Sequence, residues 1–235
     1  MLFLRKKKRV HAAPGRGPVP RPAPEPSDPS DFVSVGEEIP DLLLDIRYFS
    51  SFNFIGERID GYLEPVALLT KKAAAALKTA SGEAVKRGYR LKVFDAYRPQ
   101  AAVSHFISWA KDPLDTRMQA VFYPGVDKAQ LIPRGFIAER SSHSRGSAVD
   151  LTLFDVAAGQ EADMGGSFDF FGEISRPDYP ELTPRQRENR MLLREIMTDA
   201  GFVPLAEEWW HFTLAGEPYP DTYFTFPVTR EILPR

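Results

Sequence analysis

The sequence predicts an α+β fold: a single domain with a central antiparallel or mixed sheet flanked by helices. Three observations predict it. Strand-like and helix-like segments are intermixed without the regular strand–helix alternation of a parallel sheet. No internal repeat divides the chain. Hydrophobic residues make up 43% and charged residues 26% of the 235 positions, an ordinary globular balance with enough apolar material for one sizeable core.

The N-terminal residues are the exception to that balance. Residues 1–9 include Arg5, Lys6, Lys7, Lys8 and Arg9 but no apolar core behind them, which makes a poor secretory signal and reads as a basic tail. Residues 14–30 alternate proline with small or charged residues, and such a run lacks the backbone donors and apolar side chains needed to fold. Residues 1–30 are therefore expected to be a disordered basic, proline-rich extension, and 31–235 the folded domain. As polyproline II, at about 3.1 Å per residue, residues 14–30 could span roughly 50 Å.

Residues 42–48 read as an early strand and 50–60 as a loop with Asn53 and Gly56 as turn residues. Residues 65–87, rich in Ala, Leu and Lys and followed by Gly88, read as a helix. Residues 90–97 alternate as a strand, stopped by Arg98-Pro99, and 100–110 have a helical pattern. Residues 112–133 look irregular with room for a short helix. Residues 148–154 form a β-rich run. Residues 155–182 are long and rich in Gly, Pro and Asp, as a functional loop or lid would be. Residues 183–200 read as a helix capped by Thr183 and stopped by Gly201, and 208–214 as an aromatic strand. Residues 218–227 form a tail expected to pack rather than pair.

Bulk properties exclude several classes. The formal net charge of -2 gives no sign of a nucleic-acid surface. No stretch reaches the ~18 apolar residues of a membrane span. With no cysteine, disulfides, thiolate metal sites and a cysteine nucleophile are all excluded, so any metal must be held by nitrogen and oxygen. Without a convincing signal segment the expected compartment is the cytoplasm, with the periplasm or envelope as the alternative.

Only four histidines are present, at positions 11, 105, 143 and 211. In Ser141-Ser142-His143-Ser144-Arg145-Gly146-Ser147-Ala148-Val149-Asp150, a glycine allows a tight turn between His143 and a β-rich run. On a strand, Ala148, Asp150 and Thr152 share one face, while Val149, Leu151 and Leu153 share the core face. A buried aspartate needs a partner for its charge. A metal ion would serve; so would a salt bridge or a turn hydrogen bond, the commoner solutions for a lone aspartate. A lone His143 is more often an ordinary core or surface histidine.

The second stretch is Glu208-Trp209-Trp210-His211. Residues three apart on a regular strand point to opposite faces, so Glu208 and His211 can share a site only if the strand starts after Glu208 or a bulge rotates it. The duller reading is an aromatic core strand with an exposed glutamate. Together, His143, Asp150 and His211 make three nitrogen/oxygen ligands, the number that catalytic zinc sites use while keeping a fourth place for water. Glu208 is then a carboxylate free to move protons, and Arg98, locked by Pro99, a cation free to stabilise an oxyanion. An ordinary surface arginine is the alternative for Arg98.

These motifs, with Asp95-Ala96-Tyr97-Arg98-Pro99, Met164-Gly165, Phe168-Asp169-Phe170 and Glu217-Pro218-Tyr219-Pro220, resemble the zinc D,D-peptidases, most closely the VanX-type D-alanyl-D-alanine dipeptidases. The similarity covers residues 45–227, and 171–182 depart from the family's pattern. The resemblance implies one Zn2+ per chain on His143, Asp150 and His211, with the zinc site on the sheet. It implies Glu208 as general base and acid, and Arg98 as stabiliser of the tetrahedral oxyanion. Ser141 matches a residue near the substrate carboxylate. Tyr48 and Asp169 match pocket-lining positions, with Asp169 toward the substrate ammonium. The implied reaction is hydrolysis of free D-alanyl-D-alanine by zinc-bound water, with a small dipeptide as the partner and neither nucleic acid nor membrane. The alternatives are a zinc D,D-carboxypeptidase or endopeptidase acting on peptidoglycan peptides, and a non-catalytic zinc-stabilised wall-fragment-binding protein.

Overall fold

A computed structural model describes residues 25–234. The basic stretch 1–9 and the proline-rich run as far as residue 24 lie outside the described residues. Residues 25–30 precede the first strand. There the Pro26 carbonyl accepts the Thr225 N–H at 2.9 Å, and the Ser30 carbonyl accepts Lys71 Nζ at 3.0 Å.

In chain order the elements begin with β1 (Phe32–Ser34), the single turn α1 (Val35–Glu38), β2 (Leu43–Leu44), β3 (Leu68–Thr70), α2 (Lys71–Lys86) and β4 (Tyr89–Asp95). Next come α3 (Gln100–Lys111), the single turn α4 (Gln119–Phe122), β5 (Ala148–Asp155), β6 (Gln160–Glu161), α5 (Pro184–Asp199), β7 (Phe202–Pro204) and β8 (His211–Leu214). The main sheet has the order β2-β4-β5-β8-β7, with β6 paired to β5. The β2–β4 pair is parallel and the other pairs are antiparallel, so the sheet is mixed, as expected. β1 and β3 form a separate antiparallel pair. Among the described residues no helix is long and apolar enough to cross a membrane.

Helices α2 and α5 cover one face of the sheet. On α2, Ala73, Ala74, Leu77, Ala80, Ser81 and Ala84 form a buried stripe at helical spacing. The small side chains let α2 pack close on β4. Leu193, Ile196 and Met197 of α5 and Val149, Leu151 and Leu153 of β5 join the same core. Asp150 and its face are left for the opposite side.

Three readings of element limits need correction. The helix expected over 65–87 begins only at Lys71. Residues 68–70 pair with β1 instead, and the Thr70 side chain caps the helix by accepting the Ala73 N–H. The strand expected over 42–48 is reduced to Leu43–Leu44, although single bonds from Asp45 N–H to the Val93 carbonyl and from Arg47 N–H to the Phe94 carbonyl continue the alignment. The strand expected over 208–214 starts at His211, because residues 208–210 turn. Strands β1, β3 and β7 are too short to give a visible alternation. The helix at 183–200 matches α5 closely: Thr183 and Gln186 form a reciprocal capping box, and Pro184 occupies the first turn.

The long connection 155–182 is anchored rather than free. Arg190, buried on α5, donates to the carbonyls of Met164 (2.7 Å), Arg176 (2.6 Å) and Ile174 (2.8 Å). This fixes the segment that carries Asp169.

Gly146 closes the turn that follows His143. Its φ is +75°, and an added Cβ would lie 2.3 Å from the Phe32 ring. Phe32 cannot yield easily, since it is packed edge-on against Tyr97, Phe224 and Phe226. Gly146→Ala is therefore expected to destabilise the fold by about 2–5 kcal/mol, combining left-handed strain with overpacking. A thermal melt should show a midpoint lower by roughly 5–20 °C. A shift below about 2 °C would mean that Phe32 has another place to go.

Candidate metal centre

His143 lies in a tight 3₁₀ turn, Ser142–Arg145, whose first N–H groups are capped by Ser141 Oγ at 3.3 Å from His143 N. Asp150 sits on β5 and His211 opens β8, and the two are register partners. Directly opposed residues on neighbouring strands project to the same face, so the sheet itself brings these side chains together. The turn before β5 then swings His143 over them.

The inner atoms converge. His143 Nε2 lies 3.0 Å from His211 Nδ1, His211 Nδ1 lies 2.9 Å from Asp150 Oδ1, and His143 Nε2 lies 3.2 Å from Asp150 Oδ2. Tetrahedral zinc with bonds of about 2.0–2.1 Å would set its ligand atoms about 3.3 Å apart. The outer nitrogens are also held. His143 Nδ1 donates to the Ala96 carbonyl at 2.6 Å, which leaves Nε2 as a bare lone pair facing inward. His211 Nε2 meets the hydroxyls of Ser142 and Thr213, each at 3.2 Å. The centre thus gathers a lone pair, a carboxylate and a second imidazole nitrogen, all buried, and this donor set fits a divalent metal ion.

The electrostatics point the same way. Burial pushes the Asp150 carboxyl up, but the imidazoles of His143 and His211 outweigh it and hold it below the ordinary carboxylate range. Burial pushes His211 down, yet its bond to Asp150 and that carboxylate's charge hold it above the ordinary imidazole range. Together the shifts keep the Asp150 carboxylate anionic and favour a cation beside it.

The centre opens into a cavity of about 520 Å³. Arg98 follows β4 and reaches into it. Its Nε and Nη2 both lie 2.9 Å from Asp95 Oδ2, and Nη2 is 3.5 Å from both Asp150 Oδ2 and the Tyr48 hydroxyl. The guanidinium stacks over the rings of Tyr48 and Phe106, at 4.9 and 5.3 Å. Its Nη1 makes no hydrogen bond with the described residues.

Asp169 is the one non-glycine with a left-handed backbone among the described residues, at φ 59°. Tyr48 donates to its Oδ2 at 2.7 Å, and burial, reinforced by the charge of Asp150, holds its carboxyl well above the usual range. Glu208 is half-buried in the cavity wall, and its carboxylate accepts no hydrogen bond from the described residues. Burial pushes it up to about 7, against the pull of His211 and Arg98. The His211 N–H bonds to the Glu208 carbonyl at 3.4 Å, closing the turn that brings Glu208 and His211 to one cavity.

All eight residues singled out from the sequence line this cavity: Tyr48, Arg98, Ser141, His143, Asp150, Asp169, Glu208 and His211. Sequence reasoning missed four residues that hold these groups: Ser142 and Thr213 against His211, and Asp95 and Tyr62 behind Arg98. Thr213 carried a signal, because it lies two residues from His211 on a strand and so shares its face. Asp95 carried a weaker one, three residues before Arg98. Ser142 and Tyr62 carried none.

A buried His–Asp–His donor set, opening into a cavity with a free carboxylate and a held arginine, has the layout of a metal-dependent hydrolase centre. The chain belongs to the peptidase M15 family: the family model described as D-ala-D-ala dipeptidase matches residues 28–229. It is 43% identical over 198 residues to a D-alanyl-D-alanine dipeptidase of Streptomyces coelicolor, covering 84% of this chain and 98% of that relative. It is 40% identical over 198 residues to the protein of the same name from Enterococcus faecalis, with the same coverage. Among solved structures, the LdcB LD-carboxypeptidase aligns at 21% identity and a TM-score of 0.42, covering 81% of this chain and 71% of that one. The resemblance carried by the motifs is thus the family to which the chain belongs.

Proposed function

We propose that the protein is a zinc-dependent dipeptidase that hydrolyses free D-alanyl-D-alanine to two molecules of D-alanine. The observation that carries this reading is the convergence of His143 Nε2, Asp150 and His211 Nδ1 within 2.9–3.2 Å beside an unbonded Glu208. The names of the relatives support the substrate. His143, Asp150 and His211 would hold the ion. Bound there, zinc supplies a Lewis acid that acidifies water and polarises a carbonyl.

The chain's own groups do the rest. Glu208 takes a proton from the attacking water and delivers it to the leaving amine nitrogen as the C–N bond breaks and the C–O bond forms. A carboxyl near neutrality can do both. Arg98 presents Nη1 to the oxyanion, with its other edge held by Asp95. Asp169, held by the Tyr48 hydroxyl at 2.7 Å, faces the substrate ammonium, and Ser141 its carboxylate. A site that pairs both termini selects a free dipeptide, because a longer chain would leave buried polar groups unpaired.

The test is release of D-alanine from D-alanyl-D-alanine by zinc-loaded protein, with an N-acylated dipeptide in parallel. Turnover of the free dipeptide in preference to the acylated one is expected. No turnover of either overturns the reading, and preference for the acylated form makes the protein a carboxypeptidase. Arg98→Ala is expected to lower kcat on the order of 10²–10³-fold. Steady-state rates at saturating dipeptide check this, and an unchanged kcat would take Arg98 out of the mechanism.

A further inference from the structure

Asp95, Asp150 and His211 are paired in one row across β4, β5 and β8, and a bulge in β4 between Val93 and Asp95 turns the Asp95 carboxylate to the face of Asp150, within reach of Arg98 and His143. Two of them belong to the donor set. Asp95 does not, yet its carboxylate is only 1% exposed and fully engaged. Its Oδ2 lies 2.9 Å from both Nε and Nη2 of Arg98, and 3.5 Å from His143 Nδ1. Its Oδ1 accepts the Tyr62 hydroxyl at 2.6 Å. Tyr62 is itself buried, and its backbone is fixed by a bridge to Val228.

Arg98 therefore stands between two carboxylates, held by Asp95 at 2.9 Å and only 3.5 Å from Asp150. We propose that Asp95, clamped by Tyr62, is a positioning residue that keeps Arg98 off Asp150. The carboxylate of Asp150 is thereby reserved for the metal, and the guanidinium for the substrate. A buried guanidinium requires an anionic partner. Without the charge of Asp95, the nearest remaining carboxylate is Asp150. Arg98 then closes the 3.5 Å gap, its N–H groups occupy the oxygens of a metal ligand, and its free edge leaves the cavity. One lost charge thus weakens metal binding and turnover together, and both losses pass through Arg98.

The turnover arm rests on the proposed dipeptidase function; the metal-affinity arm does not. The experiment is a double-mutant cycle of Asp95→Asn and Arg98→Ala in the full chain. Zinc affinity is read by chelator competition, and kcat and KM are read separately. Asp95→Asn is expected to weaken zinc binding on the order of 10–100-fold and to lower kcat on the order of 10²-fold, with KM nearly unchanged. Arg98→Ala should bind zinc at least as tightly as the parent. In that background, Asp95→Asn should change zinc affinity by less than about threefold, because the group it restrains is gone. Tyr62→Phe should shift both readouts in the same direction by about tenfold. If Asp95→Asn does not fold, Tyr62→Phe with Arg98→Ala forms the cycle. Additive effects on zinc affinity, or parental zinc affinity in Asp95→Asn, overturn the proposal. A chain that shows the non-additive zinc pattern but no dipeptide turnover overturns the dipeptidase reading alone.

Discussion

Glu208→Gln is expected to lower kcat by about 10²–10⁴-fold while zinc still binds at one ion per chain. Glutamine keeps the size and shape of the side chain and removes its basic oxygen. The prediction rests on how Glu208 is left by its surroundings. The turn closed by His211 N–H and the Glu208 carbonyl puts it in the cavity wall, where no described group donates to its carboxylate. A structural carboxylate at such a position would be expected to have a partner, as Glu217 has in Arg145 at 2.8 Å. Burial and the neighbouring Asp150 raise its carboxyl to about 7, where it can accept and return a proton near neutral pH. Because Glu208 is outside the three-atom donor set, the metal should survive the substitution. The check is zinc content by elemental analysis together with kcat and KM. Lost zinc would make Glu208 a ligand, and near-parental turnover would place the proton acceptor elsewhere.

The sequence made the site more legible than the scaffold, and the reason is physical. His143, Asp150 and His211 stand out because buried polar side chains need partners, and few partners are possible in a chain with four histidines and no cysteine. The open question of how Glu208 and His211 could share a site is answered by the strand starting at His211, one of the two alternatives the spacing left. Strands β1, β3 and β7 were not legible, because three residues give too short an alternation and tertiary pairing decides them. The helix start at Lys71 was misjudged because apolar residues 66–69 continue the pattern of α2, while their backbone is claimed by β1. The Ala96 carbonyl that orients His143 could not be read at all, since a backbone acceptor has no side-chain signature. Asp95 was legible only as part of a motif; its place beside Asp150 depends on strand register, which is fixed by long-range pairing.

Removing the metal is expected to abolish turnover completely and reversibly, and to lower the melting temperature of the folded chain. Two inner imidazole nitrogens and the two oxygens of Asp150 approach one another at 2.9–3.2 Å, with the outer nitrogens committed to Ala96, Ser142 and Thr213, and this arrangement is ready to surround a cation. Without a cation a proton must serve in its place, and against the cost of burial the hydrogen bond to Asp150 holds His211 above the ordinary imidazole range. An ion that binds the folded arrangement and not the unfolded chain stabilises by mass action, so free zinc at a hundredfold excess over its Kd is expected to add about 2.7 kcal/mol to stability. For a chain of this size that corresponds to a rise of roughly 5–11 °C in the melt. The gain should be larger at about pH 8 than at about pH 5.5, since the imidazoles must be unprotonated to bind. The comparison is a thermal melt of chelator-stripped protein with and without added zinc, run beside His143→Ala and His211→Ala. Both variants lack one inner nitrogen and should show little or no zinc-dependent shift. If parent and variants respond alike, the ion binds elsewhere, and the convergence of these three side chains serves only the fold.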